Sequence, residues 1–195
     1  MTLITLVRHG QTDWNLARRI QGSTDIPLNE TGREDARTAA WRLTGGGHHA
    51  IYASPLVRAR ETAEIIAAEL GLDSPTLVPD MREREFGDGE GKLVSEYLEL
   101  YGDWLAPVPG AETLEGVADR ALRALDGIAR DSRRRSAPLA ESVIVVTHGG
   151  VIRSLIDHVS GGTLPRVGEV LANGSVHRFE ASPGSLRLLE SAILL

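Results

Sequence analysis

The sequence predicts an α/β protein, a three-layer α/β/α sandwich around a largely parallel central sheet. Three observations carry this expectation. Short apolar runs recur at Leu3–Val7, Ala50–Ala53, Thr76–Val78 and Val143–Val146, each of strand length and bounded by turn residues. The longer segments between them repeat apolar residues at helical spacing. The first and last of these runs both lead into a histidine followed by glycine.

The elements follow in order. Leu3–Val7 reads as a buried strand ending at Arg8-His9-Gly10. Thr31-Gly32-Arg33-Glu34 has the pattern of a capping box, opening a helix with Ala36, Ala39, Ala40 and Leu43 on one face and Gly45-Gly46-Gly47 as its stop. After the strand Ala50–Ala53, Ser54-Pro55 reads as a helix cap with a first-turn proline. The helix that follows carries Leu56, Ala59, Ala63, Ile66 and Leu70 inward and ends at Gly71. Beyond Thr76–Val78 comes an acidic, glycine-rich stretch, Asp80 to Gly91, and then a short helix expected over Leu93–Leu105. Thr113–Arg130 is an amphipathic helix with Leu114, Val117, Ala121, Leu122, Leu125 and Ile128 on its inner face. Val143–Val146, apolar at every position, is expected to be buried on both faces. A short helix follows Thr147-His148-Gly149-Gly150, and Val167–Leu171 with Ser175–Phe179, joined through Asn173-Gly174, read as a closing hairpin.

Composition narrows the function classes. The 195 residues suit one domain of about 100–200 residues, with a lid-like segment at about 87–115. There are no cysteines, which excludes disulfides, thiolate metal sites and a cysteine nucleophile. A net charge of −6 argues against nucleic acid as a partner, because counterion release needs a basic face. No run approaches the ~18 apolar residues of a membrane span, and the first residues lack the pattern of a secretion signal. The expectation is a cytoplasmic protein without a membrane partner.

The chemistry concentrates at strand ends. In an open parallel sheet, ligands bind beyond the carboxyl ends of the strands, so His9 and His148 face one cleft if their strands are neighbours. Arg58 falls in the first turn of its helix, where a cation opposes the macrodipole at roughly 0.3–1 kcal/mol and leans back toward the same sheet edge. Arg8, His9, Arg58 and His148 make a cationic, donor-rich cluster inside an acidic protein, which suits a phosphoryl group. The amides of Gly149-Gly150, at a helix start, would add anion donors, and Asn15 and the Gln21-Gly22 turn offer neutral ones. A neutral histidine can serve as nucleophile, and Arg8 beside His9 disfavours its protonation. A general acid is also needed, and spacing alone does not choose among Asp80, Glu83, Glu85, Asp88 and Glu90. His48-His49 has no partner at metal-ligand spacing, so no metal site is expected.

Taken together, these strings resemble the histidine phosphatase superfamily, the phosphoglycerate mutase-like proteins. The matching segments are Leu6-Val7-Arg8-His9-Gly10-Gln11-Thr12-Asp13-Trp14-Asn15, Gln21-Gly22 leading to Asp25-Ile26-Pro27-Leu28-Asn29, and Ser54-Pro55-Leu56-Val57-Arg58-Ala59-Arg60-Glu61-Thr62-Ala63. They continue as Arg82-Glu83-Arg84-Glu85-Phe86-Gly87, Pro109-Gly110-Ala111-Glu112-Thr113 and Val145-Val146-Thr147-His148-Gly149-Gly150-Val151-Ile152-Arg153. The resemblance implies a single domain over 1–195 in which His9 is phosphorylated and Glu83 donates and accepts the proton. Arg8, Arg58 and His148 would complete the catalytic set and, with Asn15, Gln21, Gly22 and Gly149, bind the substrate phosphate. It implies no cofactor and no metal, and it allows a homodimer.

Departures from the family pattern bear on substrate. Gly89 stands where many relatives carry a bulky residue, which suggests a more open pocket rim, and Thr113 replaces the usual serine. His148-Gly149-Gly150 resembles the phosphatase branch, and the chain lacks the longer lid with paired arginines that mutases use to hold a bisphosphate. The expectation is a metal-independent phosphatase acting on small phosphate monoesters. The alternatives are a bisphosphoglycerate-dependent phosphoglycerate mutase, a metal-dependent hydrolase and a non-catalytic phospholigand-binding protein.

Overall fold

The computed structural model describes residues 1–104, 106–136, 141–166 and 168–192. Among these residues, six strands form one sheet: β1 (Thr2–Arg8), β2 (His48–Ala53), β3 (Thr76–Leu77), β4 (Ser142–Thr147), β5 (Val176–Ser182) and β6 (Ser185–Ser191). Their order across the sheet is β3-β2-β4-β1-β5-β6. β1 and β4 are parallel neighbours in the register Leu6 to Val145, Val7 to Val146 and Arg8 to Thr147, so their carboxyl ends lie side by side. β2 pairs parallel with both β4 and β3, while β5 runs antiparallel to β1 and to β6.

The helices are α1 (Asp13–Leu16), α2 (Glu30–Leu43), α3 (Val57–Leu70), α4 (Val94–Tyr101), α5 (Leu114–Ser136) and α6 (Gly149–Ser160). The twofold alternation of strand side chains divides the core into two layers. Ile4, Leu6, Val143, Val145 and Phe179 pack with Val117, Leu125, Ile152 and Leu155 of α5 and α6. Val7, Ile144, Val146 and Ile51 pack with Ala39, Leu43, Ala63 and Ile66 of α2 and α3. All six residues of β4 are buried, as an apolar strand with both faces covered must be. Among the described residues no helix is long and apolar enough to cross a membrane.

Several local expectations are corrected. The cap of α2 is Asn29, whose side chain accepts from the Gly32 amide, so Thr31 already lies inside the helix. α3 starts two residues after Pro55, and its first free amide, on Val57, donates to Asp25 Oδ1 at 2.7 Å. The closing hairpin is formed by β5 and β6 around Pro183-Gly184, leaving 168–175 as a loop that folds back over the end of β1. Leu105 and Val167, the outer limits of the expected lid helix and of the first hairpin strand, lie outside the described residues.

The segment after Glu85 packs a small cluster of its own, with buried Ile20, Tyr97 and Val108. Tyr97 stacks on Trp104 with ring centroids 5.1 Å apart and meets Phe86 edge-on at 6.4 Å. A Cβ on Gly89 would fall 2.6 Å from the Tyr97 ring. The space freed by this glycine is therefore filled by Tyr97, which corrects the expectation of a rim opened at that position.

Candidate active site

The parallel pairing of β1 and β4 delivers His9 and His148 to the same sheet edge, with ring centroids 5.1 Å apart. Only 2% of His9 is exposed. Its Nδ1 lies 2.7 Å from the Gly10 carbonyl oxygen. A carbonyl only accepts, so Nδ1 carries the proton and Nε2 keeps the lone pair. Burial chiefly, and then the charges of Arg58 and Arg8, hold the His9 pKa well below the usual histidine value. The sequence argument credited Arg8 alone, and here it is the smallest of those three causes. His148 is neutral for the same reasons. Its Nε2 lies 2.8 Å from Ser54 Oγ, while its buried Nδ1 has no partner among the described residues.

Arg58 is completely buried in the first turn of α3. It donates to the Gly22 and Thr24 carbonyls at 2.9 Å each, and its Nε has no partner. Arg8 donates to the Leu171 carbonyl, and its buried Nε is likewise unpaired. A Cβ on Gly149 would stand 3.3 Å from that Nε, so the glycine lets the guanidinium lie against the start of α6. Gln21 is buried with both amide atoms unpaired. Asn15 joins through Asn173, whose Nδ2 donates to the His9 carbonyl at 3.0 Å and to Asn15 Oδ1 at 3.2 Å.

Glu83 completes the cluster. Its carboxylate accepts from the Arg84 amide at 2.8 Å and from the Gly150 amide at 3.1 Å. The amide expected to meet a ligand at the start of α6 is therefore already holding Glu83. Burial pushes the Glu83 pKa up, against the two amide bonds and the charges of Arg58 and Arg8. Gly150 is required there, because a Cβ would lie 2.4 Å from Glu83 Oε1.

Arg8, Asn15, Gly22, Arg58, Glu83, His148 and Gly149 are thus linked to His9 or to one another from six separate segments, and Gln21 lies buried next to Gly22 in the chain. Sequence reasoning missed Ser54, read as a cap, and Asn173, read as a hairpin turn. Neither carries a local pattern that announces its partner. Among the described residues, no group of three or more His, Asp and Glu side chains is placed to hold a metal ion.

The sequence pattern of the histidine phosphatase superfamily (branch 1) matches residues 4–193. This chain belongs to that superfamily. The histidine phosphatase is 37% identical over 188 residues to the uncharacterized phosphatase PhoE of Bacillus subtilis, covering 96% of this chain and 93% of PhoE. It is 38% identical over 167 residues to a metal-independent phosphoserine phosphatase of Arabidopsis thaliana, covering 80% of this chain and 67% of that protein. Among solved structures, YhfR of Bacillus stearothermophilus superposes with a TM-score of 0.81 at 32% identity, over 96% of this chain and 95% of YhfR.

Proposed function

We propose that this histidine phosphatase hydrolyses small-molecule phosphate monoesters through a phosphohistidine at His9, without a metal ion. The observation that carries the reading is the His9 Nδ1 bond to the Gly10 carbonyl, which leaves Nε2 unprotonated and able to act as a neutral nucleophile. The unpaired Nε atoms of Arg8 and Arg58 supply charge and donors for the phosphoryl oxygens, and the buried, unpaired Gln21 amide is a further donor to them in this reading. Nε2 attacks phosphorus in line while the ester oxygen departs, taking the proton from Glu83. Water then gives its proton to the Glu83 carboxylate, attacks the phosphohistidine and releases orthophosphate, restoring neutral His9. A carboxyl whose pKa is raised by burial suits both steps, since it must be protonated in the first and basic in the second. Guanidinium groups at the place of the phosphoryl oxygens supply the positive charge that a metal ion would otherwise bring, which supports the metal-free form of the reaction.

The test is phosphate release from p-nitrophenyl phosphate in the presence of chelator, with His9→Ala alongside. Chelator-resistant turnover that the variant loses is the expected result. Loss of turnover in chelator, or full turnover in the variant, overturns the reading. Isomerisation of a phosphoglycerate faster than its hydrolysis, stimulated by a bisphosphoglycerate, would replace it with the mutase.

A further inference from the structure

We infer that Arg120, held by Glu112, is a positioning residue that fixes the backbone carrying Glu83. This rests on the reading of Glu83 as the proton donor. Arg120 is 4% exposed on the inner face of α5, three residues beyond buried Val117. Its Nε and Nη2 grip both oxygens of the Glu112 carboxylate at 2.7 and 2.9 Å. The remaining donors take backbone carbonyls: Nη1 those of Asp80 at 2.6 Å and Arg82 at 2.8 Å, and Nη2 that of Glu83 at 3.1 Å. The intervening Met81 carbonyl accepts from Thr147 Oγ1 at 2.7 Å.

Four successive carbonyls, on residues 80 to 83, are therefore each engaged by a side chain. With its own carbonyl turned to Arg120, the Glu83 side chain extends toward the start of α6, where the Gly150 amide meets it. Glu112 adds a second tie, for its amide donates to the Glu85 carbonyl at 2.8 Å and its carbonyl accepts from Arg84 Nε at 2.8 Å. The planar, fork-like guanidinium can serve these acceptors at once, whereas an ammonium cannot grip a carboxylate bidentately and still span three carbonyls. Arg120 touches no reacting atom in this scheme. It acts through the place of the Glu83 carboxyl.

The leaving group separates positioning from general damage. A 2,4-dinitrophenolate departs as a stable anion and needs little help from an acid, while the alkoxide of an alkyl phosphate needs a proton as it leaves. Values of kcat/KM for 2,4-dinitrophenyl phosphate and an alkyl phosphate are to be compared in wild type, Glu83→Gln and Arg120→Lys. Inhibition by orthophosphate reports on the phosphate pocket in each. The expected result is that both variants lose at least about tenfold more on the alkyl ester than on the aryl ester. Equal losses on both esters in Arg120→Lys, with Glu83→Gln selective, would overturn the inference and leave the proposed reaction standing. Absence of selectivity in Glu83→Gln itself would remove the proton donor and the inference together. Should Arg120→Lys fail to fold, Glu112→Gln decides by the same ratio, with about threefold selectivity expected from a loosened rather than replaced guanidinium.

Discussion

The proton inventory of the cluster is set by two backbone contacts. The Gly10 carbonyl decides which His9 nitrogen is free, and the Gly150 amide decides where Glu83 points. The pH dependence follows from the shifts. His9, with its pKa well below 6.5, is neutral over the neutral range, while Glu83, with its pKa raised above 4.5, must be protonated for the first step. Values of kcat/KM for an alkyl phosphate, corrected for ionisation of the substrate, should therefore fall as pH rises through the Glu83 pKa. Glu83→Gln should flatten that limb, and a limb that survives in the variant would assign it to another group. Gly150→Ala tests position without loss of a functional group. Its methyl would displace Glu83 Oε1, so turnover of the alkyl ester should drop by roughly tenfold or more. Thermal stability should hold or fall, because displacing the buried carboxylate from its two amide donors opposes the helix preference for alanine over glycine of about 0.5–1 kcal/mol.

Elements whose signals are local were legible in the sequence, and those that depend on distant partners were not. All four apolar runs became strands, because alternation and turn residues act within a few positions. The start of α3 was misplaced because its cap comes from Asp25, more than thirty residues away in sequence. Asp25→Ala should cost about 1 kcal/mol of stability through the lost cap and should tighten orthophosphate binding, because it removes a negative charge from the field of Arg58. Thermal melts with and without phosphate would check both. The hairpin was misplaced for a related reason. Asn173-Gly174 has the sequence of a hairpin turn, yet Asn173 is committed to His9 and Asn15. At the sheet edge, β6 carries Arg187 and Glu190, paired with Glu180 and Arg178 of β5, beside a register shift at Arg178/Phe179. Charges and an irregular register are features that discourage another strand from adding to an edge.

At the scale of the molecule, the three-layer architecture was readable from strands alternating with helices, whereas the meeting of His9 and His148 depended on the adjacency of their strands, which only the sheet order supplies. Spacing could not choose among the five acids; the family resemblance pointed to Glu83, and the fold brings that carboxylate to the start of α6. Stability against pH is likewise a property of the whole. His9, His148 and His177 are buried neutral, His177 with its pKa lowered to about 4, so the unfolded chain binds more protons than the native one below pH about 6.5. Native stability should therefore decline as pH falls from about 6.5 toward 4, with His177 alone accounting for roughly 3 kcal/mol. Glu83 works in the opposite sense, losing stability as pH rises through its raised pKa. Denaturant titrations at pH 7 and 4.5 would measure the balance, and equal midpoints would refute it. The unpaired Nε atoms of Arg8 and Arg58 carry one more consequence. In the proposed reaction, two guanidinium groups that hold a phosphoryl dianion would grip the same dianion after the ester is gone, and any ligand of the native state raises its melting temperature by mass action. Orthophosphate should therefore both harden the protein against heat and compete with substrate, so that the rate of catalysis falls as the product accumulates around it.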